Sequence, residues 1–515
     1  MAQHIKKDFM PCAYNTGATK LDFISERTEE TCDRKFVDDA FMVVDIGDVL
    51  KKHNEWLSEL PRVTPFFAVK CMPYTPVLNV LASLGCGFDC ASLEEIDRVL
   101  SMGVSPSRIV YSHTRKQGSY LSYAAEKKVD LMTFDDETEL LKIKDSFPEA
   151  RLLLRLSIFD QTAQNAFGYK YGCHHKHVKS LLEFVKKHGL QMVGVHFHIG
   201  SGSSNPAMFE NALQFARKVF DVGNRLGFNM NVLDIGGGFP GSPRCANPFI
   251  LFASAVREGI ENYFPPDSGV TIIAEPGRYY TESAGTLVAN VIGFKIGPKV
   301  RRSTGGSGSG VSKRISNPSG YSQKRRSSTR PVLTRRASTV QKRLSRYDSI
   351  SHFAEISGIP AQDKPLTYDY MYFVNDGLFT SFLRNLFGFP VLPPRALREV
   401  DDDEMEHESM VMGETCPEED VIIDECMLPK LEVGDWMVFE DMGAYTCMST
   451  DFNGFNKKFF YYAVPDNVWP YIQPLLVRCT DEAHASHISH QAYNNGVNAS
   501  PAKEILQYVF SLEEV

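Results

Sequence analysis

Lys70 closes the apolar run Phe66-Phe67-Ala68-Val69. An amine at the end of a buried strand is partly desolvated, which lowers its pKa and readies it to attack a carbonyl carbon. Leu233-Asp234-Ile235 runs into Gly236-Gly237-Gly238. Backbone N–H groups in such a turn approach an anion closely, and phosphate is the common guest. Glu275-Pro276-Gly277-Arg278 sets a carboxylate near a guanidinium. The first suits a ring nitrogen and the second a phosphate. His196 and His198 alternate along one run and share a face. No further ligands stand at metal-binding spacing, so no metal is expected, and a ring-stacking role for one of them is more economical. Asp89 and Arg155 end two more apolar runs. Each residue also has a plainer reading, as a strand-end charge, a tight turn or a surface ion pair.

The surrounding pattern gives these residues a common location. Short apolar segments at 65–69, 87–89, 109–111, 130–134, 151–156, 193–197, 231–235 and 271–274 alternate with helical patterns such as 93–102, 137–144, 177–188 and 207–226. Eight β segments interleaved with helices fit a parallel (β/α)8 barrel; a doubly wound open sheet is the other arrangement this period allows. In a barrel the active site gathers at the C-terminal strand ends. Lys70, Asp89, Arg155, His198, the Gly236–Gly238 turn and Glu275 with Arg278 occupy six of the eight proposed ends. A reactive lysine, a phosphate cradle, a carboxylate for a pyridine nitrogen and a stacking imidazole together describe a site for pyridoxal 5'-phosphate. Beyond about residue 371 the texture turns to aromatic and β-branched strands at 370–374, 436–439 and 459–464. This reads as a β-sandwich-like domain, which the early strand at 40–44 is expected to join.

Several stretches carry a family resemblance: 65–70, Gly87-Phe88-Asp89-Cys90-Ala91-Ser92, Phe197-His198-Ile199-Gly200-Ser201-Gly202, 233–242, Ala274-Glu275-Pro276-Gly277-Arg278-Tyr279-Tyr280, Val374-Asn375-Asp376-Gly377 and Gly443-Ala444-Tyr445-Thr446. They resemble the eukaryotic ornithine decarboxylase family, which has an alanine racemase-like barrel and includes the antizyme inhibitors. The likeness spans about 36–297 and 368–465. It implies that Lys70 holds the cofactor covalently, that Glu275 keeps the pyridine nitrogen protonated, and that His198 lies against the ring. It places Asp89 and Arg155 beside the ring's O3′, and Ser201, Gly236, Gly237, Gly238, Arg278 and Tyr445 around the phosphate. The family forms its sites across a head-to-tail homodimer, one subunit lending a cysteine that returns a proton to the substrate carbon. Cys416 in Gly413-Glu414-Thr415-Cys416 matches it, with Glu414 where the family has proline.

The substrate side departs from the family. Gly388 stands where an aspartate grips the distal ammonium, Pro417 where a second aspartate follows the cysteine, and Phe379 where the family has a tyrosine. Removing an ammonium from water without a carboxylate costs several kcal/mol. The acidic run Asp401-Asp402-Asp403-Glu404 and Glu414, Glu418 and Glu419 are candidate replacements. Three readings follow: an ornithine decarboxylase forming putrescine with a rearranged grip, a paralogue acting on a different amino acid, those with apolar side chains among the candidates, or a non-catalytic antizyme binder. The intact cofactor residues favour the enzymes. Arg115-Lys116-Gln117 and Tyr123-Ala124-Ala125 resemble part of the family's antizyme-binding surface.

The 515 residues are 43% hydrophobic and 23% charged, the balance of a globular protein with room for more than one domain. The net charge of −8 averages two unlike parts. From Lys299 to Arg346 there are 14 Lys or Arg and no acid, which leaves 41 basic against 63 acidic residues elsewhere, a net of −22. The basic stretch, rich in Ser and Gly, cannot bury enough apolar surface to order itself. The expected layout is an N-terminal segment at 1–35, a β-domain strand at 36–45, the barrel at 46–283, the β domain at 284–298 and 368–470, a disordered basic insertion at 299–367 and a tail at 471–515. Ser327, Ser328 and Ser338 follow paired or tripled basic residues, as sites for a basophilic kinase do. Between Lys299 and Arg346 Tyr321 is the one aromatic among 14 basic residues, which argues against nucleic acid. No run of about 18 apolar residues is present, so no spanning helix is expected. The first residues lack the apolar core of a secretory signal, and the 11 cysteines, odd in number and scattered, read as reduced thiols. The expectation is a cytoplasmic protein.

Overall fold

The computed structural model describes residues 9–15, 17–32, 38–297, 368–389, 391–401, 403–415, 419–446 and 459–477. The basic insertion at 299–367 with Ser327, Ser328 and Ser338 lies outside them, as do Cys416, Pro417 and the tail beyond 477.

Two strands, β1 (Phe9–Tyr14) and β2 (Phe41–Asp45), precede a run of eight. These are β3 (Val63–Ala68), β4 (Gly87–Cys90), β5 (Ile109–Tyr111), β6 (Leu131–Phe134), β7 (Arg151–Leu156), β8 (Gln191–Phe197), β9 (Val232–Asp234) and β10 (Thr271–Ala274). They close a barrel in chain order, β10 returning to β3, with every ladder parallel. The strands read as continuous apolar runs because both faces are covered. The interior takes one residue from each of seven strands: Phe66, Val110, Leu131, Leu153, Val193, Val232 and Ile273. β4 supplies Gly87 there, opposite Phe66 in the ladder. A Cβ on Gly87 would come within 2.5 Å of the Phe66 ring, so the small residue makes room for the large one. A second apolar layer lies between strands and helices, with Trp56, Leu78, Phe209 and Phe252 fully buried. Each such side chain contributes about 1.5–3 kcal/mol on burial. Ser92 and Asp136 end the turns after β4 and β6 and cap the next helices, accepting from Glu95 N (3.3 Å) and Glu139 N (2.9 Å).

The second sheet is mixed. It adds β11 (Gly285–Ile296), β12 (Tyr370–Val374), β13 (Arg395–Ala396), β14 (Glu406–Met412), β15 (Val421–Pro429), β16 (Trp436–Phe439) and β17 (Phe459–Pro465). The order is β1-β17-β2-β11-β12-β14-β15, with β16 joining β11 to β13. The long β11 ties it together: its first half pairs with β2 and β16, its second with β12. The expected strands at 40–44, 370–374, 436–439 and 459–464 are all present, within a residue or so. Two elements lie beyond the bounds expected for the β domain. The N-terminal segment supplies β1, parallel to β17. The start of the expected tail belongs to a helix, Trp469–Val477, whose Ile472 and Leu476 are fully buried and whose Leu475 carbonyl accepts from Asn79 Nδ2 (3.2 Å).

The two units meet at residues 441–446. Met442 N donates to Gly285 O (2.8 Å), Gly443 N to Glu282 O (3.1 Å) and Tyr445 N to Cys71 O (3.0 Å). This contact carries Tyr445 to the barrel mouth. Cys12, Cys71, Cys86, Cys90, Cys173, Cys245 and Cys426 are free thiols, and no helix among the described residues is long and apolar enough to cross a membrane.

Candidate active site

Lys70 lies in the short 3-10 turn Val69–Cys71 that follows β3. The ladder sets Ala68 beside Asp89 at the end of β4. The Lys70 ammonium therefore meets the Asp89 carboxylate in an ion pair. The lysine side chain keeps 41% of its surface, open to the mouth, while Asp89 keeps 1%. Desolvation acts against the ammonium, but Asp89 outweighs it and raises the lysine pKa. The expected lowering is thus reversed, because a neighbouring strand supplies a counter-charge. Burial and the nearby Glu275 push the Asp89 carboxyl up, while the Lys70 ammonium pulls it back and keeps the pair ionised.

Arg155, one residue before the end of β7, is buried with its guanidinium 4.8 Å from the Tyr171 ring centre. His198 follows β8. Its Nδ1 accepts from Gly200 N (2.9 Å), and Phe167 meets the ring edge-on at 5.0 Å. Burial pushes its pKa down to about 3, so the imidazole is neutral at physiological pH. His196 takes another role: its Nε2 lies 3.2 Å from Glu275 Oε2.

The turn after β9 is held by Asp234, whose Oδ1 accepts from Gly236 N (2.9 Å), and by Gly236 O, which accepts from Glu275 N (2.7 Å). Gly236 has φ +62°, and a Cβ there would collide with the Phe197 carbonyl. Gly237 packs so closely that a Cβ would lie 2.9 Å from His198 Nε2. Gly238 completes the turn. Glu275 and Arg278 do not pair with each other. Arg278 Nε donates to Ser201 Oγ (2.9 Å), and its Nη1 meets Glu282 at 3.1 Å. Phe389 (3.8 Å) and Tyr445 (5.1 Å) present their rings to the same guanidinium. Tyr445 holds φ +59°, a sparsely populated conformation of the kind found at functional sites. Burial would raise the Glu275 carboxyl, but His196 and Lys70 hold it well below the usual carboxylate range.

On the expected substrate side, Phe379 is half-buried against the main core. Gly388 is exposed, with φ +82° at the end of the turn Leu383–Phe387, and a Cβ there would meet nothing within 4 Å. The loop leading to Cys416 is pinned by Asp420, which accepts from Leu378 N (2.7 Å) and Thr415 N (2.9 Å). Of the acidic run offered as a replacement grip, Glu404 is engaged by Arg398.

Asp234, Glu282, Phe167, Tyr171, Arg384 and Phe389 had no place in the expected site. Asp234 carried a usable signal, a charged residue ending an apolar strand before three glycines. Arg384, whose Nη2 lies 3.9 Å from Glu282 Oε1, carried none, and the fold alone brings the Phe389 ring onto Arg278.

The donor set fits pyridoxal 5'-phosphate. A lysine opens into the mouth, a buried carboxylate is held ionised with Oε1 unpartnered, a glycine turn leaves space a Cβ would fill, and Arg278 and Ser201 stand beside it. Fold and site together define a barrel enzyme built for this cofactor. The family model "Pyridoxal-dependent decarboxylase, pyridoxal binding domain" matches residues 46–282. Ornithine decarboxylase of Rattus norvegicus is 38% identical over 472 residues, 91% of this chain and 90% of the rat protein. Antizyme inhibitor 2 of Xenopus laevis is 37% identical over 456 residues, 88% of this chain and 87% of its own length. The arginine decarboxylase of Paramecium bursaria Chlorella virus, solved with agmatine, superposes with TM-score 0.69 at 30% identity, covering 86% of this chain and 100% of that one. The chain belongs to the pyridoxal-dependent decarboxylase family, a carboxy-lyase family with pyridoxal 5'-phosphate as cofactor.

Proposed function

We propose that the chain decarboxylates L-ornithine to putrescine and CO2. The observation that carries this is the joining, at one barrel mouth, of Lys70, Asp89, Glu275 and Arg278 in a chain 38% identical to an ornithine decarboxylase over nearly its full length. When bound, the cofactor supplies an electron sink for the pair left as CO2 departs.

The protein's own residues do the rest. Lys70 binds the cofactor, with Asp89 holding its proton until binding. Arg278, Ser201, the Gly236–Gly238 turn and Tyr445 hold the phosphate. Glu275, kept ionised, stabilises a proton on the ring nitrogen. His198, kept neutral, would cover the ring without adding charge, and Asp89 and Arg155 would stand beside it. Cys416, lent by a second copy of the chain in a homodimer, returns a proton to the substrate carbon. The acidic body attracts a cationic amino acid at long range. The reading includes a cytoplasmic setting, an antizyme partner and a kinase acting on Ser327, Ser328 and Ser338.

A second substrate reading is favoured by one observation. Gly388 offers no side chain where the family resemblance places a carboxylate, and the neighbouring Phe389 ring covers Arg278. An apolar amino acid would suit such a wall. Purified full chain with cofactor, offered ornithine, lysine, arginine and leucine and scored by CO2 and amine release, separates the cases. Putrescine from ornithine is expected. Product from leucine alone would transfer the assignment to the apolar substrate, and no product from any of a wider amino-acid panel would remove the enzyme reading.

A further inference from the structure

Three ionisable side chains cluster where the ring-nitrogen carboxylate sits, Glu275 itself with His196 and Asp234, and the last two have no part in the cofactor chemistry described above. The ladders pair His196 of β8 with Asp234 of β9, and Asp234 with Ile273 of β10, two residues before Glu275. One ligand atom each of His196, Asp234 and Glu275 lies within 4.8 Å of the others. His196 and Asp234 are fully buried and Glu275 is 5% exposed. Asp234 Oδ1 accepts from Gly236 N, while Asp234 Oδ2, Glu275 Oε1 and His196 Nδ1 are buried without a hydrogen-bond partner.

Two carboxylates in one dry site do not both stay ionised. The geometry decides which carries the proton. Glu275 receives the His196 ring nitrogen and lies near Lys70. Asp234 has one backbone donor, and beyond the nearby His196 ring its charged neighbours are both acids, Glu275 and Asp89. Lys70, Arg155, His198 and Ser112 also face the cluster. We propose that Asp234 and His196 are positioning residues that fix the charge of Glu275, Asp234 as a neutral carboxylic acid donating to it and His196 as a neutral imidazole donating from Nε2. The cluster then presents a single negative charge to the ring nitrogen, on the residue that faces it. Burial raising the Asp234 pKa and lowering that of His196 agrees with these states.

The inference rests on the pyridoxal phosphate reading, and its first test does not need the cofactor. Infrared difference spectra of the full, cofactor-free chain should show a buried carboxylic acid band that is missing in Asp234→Asn. In the loaded enzyme, Asp234→Ala and His196→Ala should each lower kcat about 10- to 100-fold, the loss of one hydrogen bond to a charged group, with KM little changed. Both should move the pH at which the cofactor absorbance titrates. Asp234→Asn, which keeps a donor of the same shape, should restore most of what Asp234→Ala loses, a rescue that simple packing at this site would not explain. His196→Gln covers the case in which Asp234→Ala fails to fold, and should keep the cofactor titration nearer the natural protein than His196→Ala does. A carboxylic acid band unchanged in Asp234→Asn, or Asn as damaging as Ala in the folded enzyme, would overturn the proposal. Failure of the natural chain to develop a cofactor absorbance would overturn the cofactor reading instead, and the infrared result would still decide the protonation of Asp234.

Discussion

Glu275→Gln keeps the size and shape of the side chain and removes its charge. Glu275 is 5% exposed, sits 3.2 Å from His196 Nε2 and is held ionised. A carboxylate about 4 Å from a cation, at an effective dielectric near 20, contributes about 4 kcal/mol. At about 1.4 kcal/mol per factor of ten, that corresponds to a loss of about a thousandfold in kcat. The charge matters once electrons move into the ring, so KM should change little. The assay is release of labelled CO2 from the carboxyl carbon, with cofactor content measured by absorbance in the same sample. A variant that loads cofactor fully and keeps kcat within tenfold of the natural chain would refute the reasoning, because the carboxylate would then contribute little to the chemical step.

Three further outcomes are expected. Gly388→Asp places a carboxylate in open space at φ +82°. It should lower KM for ornithine about tenfold at a stability cost of about 1 kcal/mol, and an unchanged or higher KM would argue that this position does not face the substrate. Acid should destabilise the chain through two neutral histidines, the buried His53 and the half-buried His198. Burial depresses His198 to about 3 and His53 to about 4. Against an unfolded value near 6.5, the unfolded state binds more protons as pH falls from about 6.5 toward those values. At pH 5 each group costs about 2 kcal/mol. Denaturant midpoints at pH 7 and pH 5 check this, and His53→Gln should shrink the difference. Between pH 5.5 and 8 the imidazole of His198 stays neutral, so it should contribute no limb to the pH profile of kcat.

Much of the barrel is legible in the sequence because its strands are unbroken apolar runs between capped helices. Residues 109–111, 151–156 and 271–274 are read to the residue. The site's membership is also legible, since a parallel barrel delivers every strand end to one rim. What the linear pattern does not hold is lateral register. The pairing of Ala68 with Asp89 turns Lys70 from a lysine with a lowered pKa into one with a raised pKa. The pairing of His196 with Asp234 builds a cluster under Glu275 that three separate segments conceal. β1 is missed because Phe9-Met10-Pro11-Cys12-Ala13-Tyr14 is short, interrupted by proline and stabilised by β17, far along the chain. Phe389 reaches Arg278 through a tertiary contact between the two units, and no local spacing announces it.

Lys70 is the residue on which this chain is expected to carry pyridoxal 5'-phosphate. The direct measurement is borohydride reduction of the full chain with its cofactor, followed by peptide mass mapping. A pyridoxyl phosphate adduct confined to Lys70 is the predicted result. An adduct on a different lysine, or none in a protein that is folded and exposed to excess cofactor, would contradict it.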